Sequence, residues 1–257
     1  MISHPTLCFP NLGSRYLQHN RDPVTFNLLW DALKDYDMWP IYIIGLTWMI
    51  PATPMSSYLT LTLKSLGFDT FTTNLLTIPA SCVFIFFLIL STWISEKIDQ
   101  RLLMGIFSQI WMIAPLIALV VMPADASKWA RFAACTLLVG YIYVHAILVS
   151  LTSRNAGSVR TRTVGSALYN MFVQAGAIIS SNIYRKDDAP LYKSGNKVLI
   201  YIAIWNIVAF ALAKTWYMYR NKSRDTIWNG MTVEEKADYL QNTKDEGNKR
   251  LDFRFAH

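Results

Sequence analysis

Charge is scarce in this sequence. Only 16% of its 257 residues are Asp, Glu, Lys or Arg, against roughly a quarter in soluble domains. Acid is missing where the chain is most apolar: none of its six long apolar runs carries an Asp or Glu. Cysteine is scarcer still. Cys8, Cys82 and Cys135 stand apart, without a CxxC pair or a Cys/His spacing, which argues against a disulfide framework or a zinc site. No Ser/His/Asp order, phosphate-cradling glycine loop or cluster of metal ligands rises above chance. The expectation is a chain that is not an enzyme and takes no cofactor or metal. Asp187 and Asp188 adjoin Arg185 and Lys186, which argues against a cation site there. Met1 to Phe9 lacks a basic start followed by an apolar core, so no cleaved signal peptide is expected.

What is abundant is apolar and aromatic. Hydrophobic residues make up 53% of the chain, with nine Trp and thirteen Tyr, and the mean hydropathy is +0.26. A run of about 20 apolar residues spans a bilayer as a helix, and Trp and Tyr gather at its interfaces. Six such runs predict membrane crossings over about 41–62, 75–94, 102–122, 129–151, 164–184 and 198–219. The fold class is thus an all-α, multi-pass membrane protein. A linker-like segment covers 1–39, a six-helix domain 40–220 and a tail 221–257. Six crossings put both termini on one side. Eleven Lys and Arg residues flank that side against seven on the other, which predicts cytoplasmic termini. The net charge of +7 sits beside the spans, a pattern of membrane topology rather than nucleic-acid binding.

Three stretches carry more detail. Leu28 to Tyr36 reads either as a short amphipathic helix at the membrane surface or as a solvated linker. Pro51 and Pro54 interrupt the first span. Each lacks an N–H and clashes one turn back, which frees the carbonyls of Thr47 and Ile50. Such an interruption either lines a substrate path or is a kink patched by Ser and Thr. In the fifth span, Asn170, Gln174, Ala177, Ser181 and Tyr184 fall on one helical stripe, and Leu168, Phe172, Ile179 and Ile183 on a face suited to lipid. Amides in hydrocarbon need a partner or a wet cavity. Beyond the spans, Thr232 and Glu235 form a capping box that starts a short helix through about Leu240. The tail after it is charged and has no apolar periodicity.

A family resemblance rests on particular residues. Leu29-Trp30-Asp31-Ala32-Leu33-Lys34-Asp35 with Trp39-Pro40, Lys64-Ser65-Leu66-Gly67-Phe68 and Asn74 to Pro79 are three of them. Arg154-Asn155, Ser166-Ala167-Leu168-Tyr169-Asn170 and the pattern from Asn182 to Asn196 complete the set. Together they resemble the C-terminal half of the allantoate permease family, a largely fungal branch of the anion:cation symporters in the major facilitator superfamily. The resemblance covers nearly the whole chain from about Arg15. It implies helices 7–12 of a two-half fold, each half made of two inverted three-helix repeats. It also implies proton-coupled carriage of small organic anions such as ureido acids and carboxylate vitamins, and a central cavity lined by the first, fourth and fifth spans. A separate N-terminal six-helix half then becomes the expected partner, with the plasma membrane or an endomembrane as the location. Three departures stand out. The N-terminal six helices are absent. Ser95-Glu96-Lys97 replaces a usual Ser-Asp-Arg, with Thr92 at a glycine position. Ala177 and Ser180 stand where Asn and Gly are frequent.

The candidate substrate-path residues are Asn170, Gln174, Tyr58, Ser57 and Ser181. Amides donate and accept, which suits a carboxylate or amide substrate, though interhelical hydrogen bonding is the plainer role. Tyr58 reads equally as a donor to an anion or as an interfacial anchor. His145 titrates near neutral pH and is a possible proton carrier, with a structural histidine as the alternative. Glu96, Lys97 and Arg101 read as a gating loop or as a solvated turn. Against the transporter reading stands a non-transporting remnant or assembly partner, favoured by the missing half and the lost polar positions.

Overall fold

The computed structural model describes residues 26–257 except Ala124 and Ser158, and no side chain at 26–28, 159 or 160. Residues 1–25 of the linker-like segment, with Cys8, lie outside it. The described chain is helical throughout, with ten α-helices. α1 (Phe26–Lys34) is short and precedes the first crossing. That crossing is broken into α2 (Trp39–Thr47) and α3 (Thr53–Ser65), as the proline pair predicts. α4 (Thr70–Ile98) and α5 (Arg101–Val121) cross without interruption. Each contains one proline, Pro79 and Pro115, so a single proline does not end a helix in this fold.

The fourth crossing differs from the expected continuous helix. It divides into α6 (Lys128–Val139) and α7 (His145–Asn155), with Gly140 to Val144 unwound between them. α8 (Val159–Ser181) is the fifth crossing. It stops at Ser181 rather than Tyr184, so Tyr184 leaves the polar stripe. α9 (Lys193–Gly230) is the sixth and runs 38 residues, well past the expected end near Tyr219. Nothing between Tyr219 and Gly230 breaks a helix: the stretch holds no proline, and its first glycine is Gly230. Three of the described helices, α4, α5 and α9, are long and apolar enough to cross a membrane unaided. α10 (Val233–Asn242) begins at the predicted capping box, in which Glu235 N–H donates to Thr232 Oγ1 and Thr232 N–H to Glu235 Oε2.

Alternating direction places α1, the α4–α5 turn, the α7–α8 turn and the tail at one end, called here the tail end. Contacts agree: Arg154 Nη1 reaches Asp99 at 3.4 Å, and Lys214 Nζ donates to Gln100 at 2.7 Å. At the opposite end Phe68 packs edge-on to Trp129, with ring centroids 5.3 Å apart. Two helix pairs carry the core, α5 against α9 and α2 against α8. The second is close because Gly176 has no side chain: a Cβ there would run into the carbonyl oxygen of Leu46. Small residues let helix backbones approach in lipid, where hydrocarbon offers no hydrophobic drive.

That close packing corrects the expected lipid face of α8 at Leu168 and Phe172, while Ile179 is exposed. Leu168 is buried, and Phe172 stacks on Tyr42 of α2 at 5.4 Å. Asp37 is a second correction. It falls in the segment read as linker-like, yet it is only 3% exposed. Arg220 Nη2 contacts its Oδ2 at 2.8 Å, and Arg224 lies 3.8 Å from the same oxygen. A buried carboxylate needs such partners. Its backbone carbonyl accepts from the Tyr217 hydroxyl at 2.9 Å, which ties the start of the first crossing to the last.

Candidate functional site

The two broken crossings meet. Unwinding at Trp48–Ala52 and at Gly140–Val144 leaves backbone groups without helical partners, and each such group is costly inside a bilayer. Neighbouring helices supply the partners. Asn206 of α9 donates through Nδ2 at 2.9 Å to the Thr47 carbonyl, the group that Pro51 was expected to free, which also accepts the Ile50 N–H at 3.2 Å. Gln109 of α5 donates through Nε2 to the Trp48 carbonyl at 3.0 Å. Asn206 Nδ2 also reaches Gln109 Oε1 at 3.1 Å, which joins the two amides into one buried unit. At the second break, Ser108 Oγ donates to the Ile142 carbonyl at 2.6 Å and Ser91 Oγ to the Tyr143 carbonyl at 3.4 Å. Gly140 lets the chain turn against α4, because a Cβ there would overlap Val83.

The unwound segments present aromatic rings to each other. Trp48 and Tyr143 meet with centroids 5.7 Å apart, and His145 lies over Trp48 at 6.2 Å with the planes 22° apart. Tyr169 of α8 closes the group, 5.5 Å from the His145 ring, with its hydroxyl 3.4 Å from His145 Nδ1. Phe84 of α4 packs edge-on to Tyr141 and Tyr143. The result is a cluster of flat rings with an imidazole at its centre, built from the first, fourth and fifth crossings and backed by Phe84 of the second. Its chemistry is stacking and neutral hydrogen bonding, with the His145 imidazole among tyrosine and tryptophan rings. Among the described residues no group of three or more His, Cys, Asp or Glu is placed to hold a metal.

The other candidates distribute around this centre. Asn170 follows Tyr169 directly but faces outward, and Gln174 and Ser181 are exposed on the same side of α8 with Met171 and Ile178. Tyr58 lies near the end opposite the tail. It packs against Tyr184 and Tyr192 at 6.0 and 6.2 Å, and those two rings stack at 4.4 Å. Ser57, beside it, is exposed. The structure therefore gathers His145 with Tyr169, sets Asn170 and Gln174 on an open face, and keeps Tyr58 apart.

At the α4–α5 turn the acid that engages is Asp99. Arg101 Nη1 lies 2.6 Å from its carboxylate and Arg154 reaches it from the end of α7. The Arg101 guanidinium, helped by Arg154, holds the Asp99 carboxyl below its ordinary range. Glu96 is exposed, and among the described residues it makes no ion pair. Lys97 sits over the Trp93 ring at 4.3 Å. Sequence reasoning missed Gln109, Ser91 and Ser108 and gave Asn206 no role. The signal was available: each is a polar residue inside an apolar run.

Residues 13–181 match the Major Facilitator Superfamily. An uncharacterized transporter of Saccharomyces cerevisiae is 43% identical over 238 residues, which cover 93% of this chain and 44% of the relative. A second protein of that yeast, named a putative uncharacterized transporter, is 48% identical over 216 residues, covering 83% of this chain and 100% of the relative. An uncharacterized transporter of Schizosaccharomyces pombe is 26% identical over 170 residues, 65% of this chain and 32% of the relative. The chain thus spans less than half of the first relative and the full length of the second. No solved structure matches it. Six crossings with paired breaks and a match over most of its length place this chain in the Major Facilitator Superfamily, with the architecture of one six-helix half.

Proposed function

We propose that this chain is one half of a secondary transporter for small organic anions, driven by protons and working by alternating access. The observation that carries the reading is the meeting of two helix breaks at Trp48 and Tyr143. They fall in the first and fourth crossings, the positions that begin each of two three-helix repeats. In inverted-repeat transporters, interrupted helices of the two repeats meet near the middle of the membrane and form the binding site. Here the breaks bring together an aromatic cluster that suits a flat substrate and His145, the titratable group within it. The exposed amides of Asn170 and Gln174 supply donors for a carboxylate on the face that a second six-helix half would cover. The termini are assigned to the cytoplasm on the excess of basic residues at that side.

The test is uptake. The chain is expressed in cells lacking carboxylate uptake, alone and together with a candidate N-terminal half. Accumulation of a labelled ureido acid and of a labelled carboxylate vitamin is then followed at two external pH values. Accumulation that rises at the lower pH is expected with the second half present. Absence of accumulation for every carboxylate tried, with both halves in the membrane, rejects the reading. His145→Gln keeps a hydrogen-bonding group beside Tyr169 but cannot titrate, so uptake by that variant is expected to lose its dependence on external pH.

A further inference from the structure

The tail reads as a charged run without apolar periodicity, yet it is docked. After α10 the chain turns back, and residues 245–256 lie across the tail end of the bundle. Two asparagines hold consecutive residues by their backbones. Asn155, the last residue of α7, donates to the Ala256 carbonyl at 3.1 Å and accepts the Ala256 N–H at 2.8 Å. Asn221 of α9 does the same for Phe255, at 2.9 and 2.8 Å. Arg224 of α9 donates to the carbonyls of Asn248 at 2.7 Å and Phe253 at 3.2 Å. Asn248 donates in turn to Asp35 beyond α1 at 2.6 Å. Phe255 is 3% exposed and packs 5.2 Å from the Tyr217 ring. Gly157, at φ +77°, makes room between α7 and α8, because a Cβ there would overlap the backbone of Gly247 and Asn248.

A chain segment held by its backbone at two asparagines is held in one register, as a strand is held by its neighbour. This strap also closes something. A cavity of about 440 Å³ lies beneath it, walled on one side by Lys244–Lys249 and on the other by Asp35, Met38, Tyr42, Thr161 and Gly165. Met38 and Tyr42 belong to the start of α2, Thr161 and Gly165 to the first turns of α8, and Asp35 to the link between α1 and α2. The strap therefore does two things at one end of the bundle. It ties α7 to α9, and it roofs the space between α2 and α8.

We propose that residues 245–256 are a detachable inner closure: the strap seals the tail-end mouth of the α2–α8 space and undocks from Asn155 and Asn221 when that end opens. The inference rests on the transporter reading for its purpose. Its first test needs no substrate.

Met38→Cys places a thiol in the cavity wall of the full chain, with Cys8 and Cys82 replaced by alanine. Cys135, buried in α6, is kept as a reporter of folding. Open membranes are treated with a charged maleimide. Labelling at position 38 is expected to be slow with the strap intact and at least tenfold faster in Asn155→Ala/Asn221→Ala, with Cys135 silent in both. Unchanged labelling at position 38 overturns the proposal. So does simultaneous exposure of Cys135, repeated in the milder Asn221→Ala variant, because the asparagines would then merely hold the fold. A second test uses Asn155→Cys/Ala256→Cys bridged by a bifunctional thiol reagent. Bridging is expected to arrest any uptake that the unbridged chain supports, and undiminished uptake after bridging overturns the proposal. Absence of uptake before bridging, in the unsubstituted chain as well and with the N-terminal half present, rejects the transporter reading and leaves the labelling result standing.

Discussion

Asn206 and Gln109 show what two amides accomplish inside apolar helices. Each is fully buried, and each spends its donor on a backbone carbonyl that proline or unwinding has released. Removing Gln109 takes the donor from the Trp48 carbonyl, and removing Asn206 takes it from the Gln109 side-chain oxygen while Thr47 keeps the Ile50 N–H. A buried acceptor left without a donor costs about 1–3 kcal/mol. Asn206→Leu is therefore expected to lower the midpoint of thermal unfolding in detergent by several degrees, read as loss of a monodisperse elution peak. Asn206→Asp is expected to be worse, since an unpaired carboxylate replaces a donor. Asp99 makes a different case, because it is exposed. Its carboxyl is held below the ordinary range by Arg101 and Arg154, so the stabilisation it gives is present above the unfolded-state value and fades as pH falls through the lowered one. Exposed pairs contribute little each. The expected outcome is a small acid-dependent loosening of the α4–α5 turn, seen as faster proteolysis there below the carboxylate range. In Asp99→Asn that turn should be loose at every pH.

At the scale of elements, the breaks and the close helix pairs define the geometry. Gly176→Val pushes a branched side chain into Leu46 where two backbones touch. Overpacking costs typically 1–3 kcal/mol. The backbone has no room to yield here, so the expected result is loss of the folded fraction on size-exclusion chromatography rather than a small shift. Legibility in the sequence divides along the same line. The break at Pro51 and Pro54 could be read directly, because proline removes a donor whatever surrounds it. The break at Gly140–Val144 could not. Its segment, Gly-Tyr-Ile-Tyr-Val, looks like any apolar run, and the groups that stabilise its unwinding, Ser91 and Ser108, lie on other helices. For the same reason the stripe of α8 was legible as polar, while Leu168 and Phe172 of its opposite face were misread as lipid-facing; Ile179 is exposed. Periodicity says which residues share a face and nothing about which neighbour glycine admits. The capping box at Thr232 was legible to the residue because it is wholly local.

The molecule as a whole is asymmetric in what it exposes. α4 turns Phe71, Ile78, Phe86, Ile89 and Trp93 outward, whereas α8 turns out Asn170, Gln174 and Ser181. These α4 residues are all apolar, whereas the α8 face mixes its polar groups with exposed Met171 and Ile178. Substituted cysteines separate them. Asn170→Cys is expected to react with a water-soluble reagent and Ile89→Cys only with a lipid-soluble one. Equal reaction of both with the lipid-soluble reagent alone counts against a water-filled seam along α8.

α9 adds a mechanical consequence. At 1.5 Å per residue its 38 residues reach about 57 Å, and a bilayer core takes up roughly 30 Å of that. The remainder stands clear of the hydrocarbon as a rigid mast, with Asn221, Arg224 and Asp225 along it. A tilt of about 10° inside the membrane swings the tip near Gly230 by roughly 5 Å, more than a hydrogen bond survives. A modest lean of one helix is thus geared up into a strain on what packs at its far end, such as Tyr239 against Trp228.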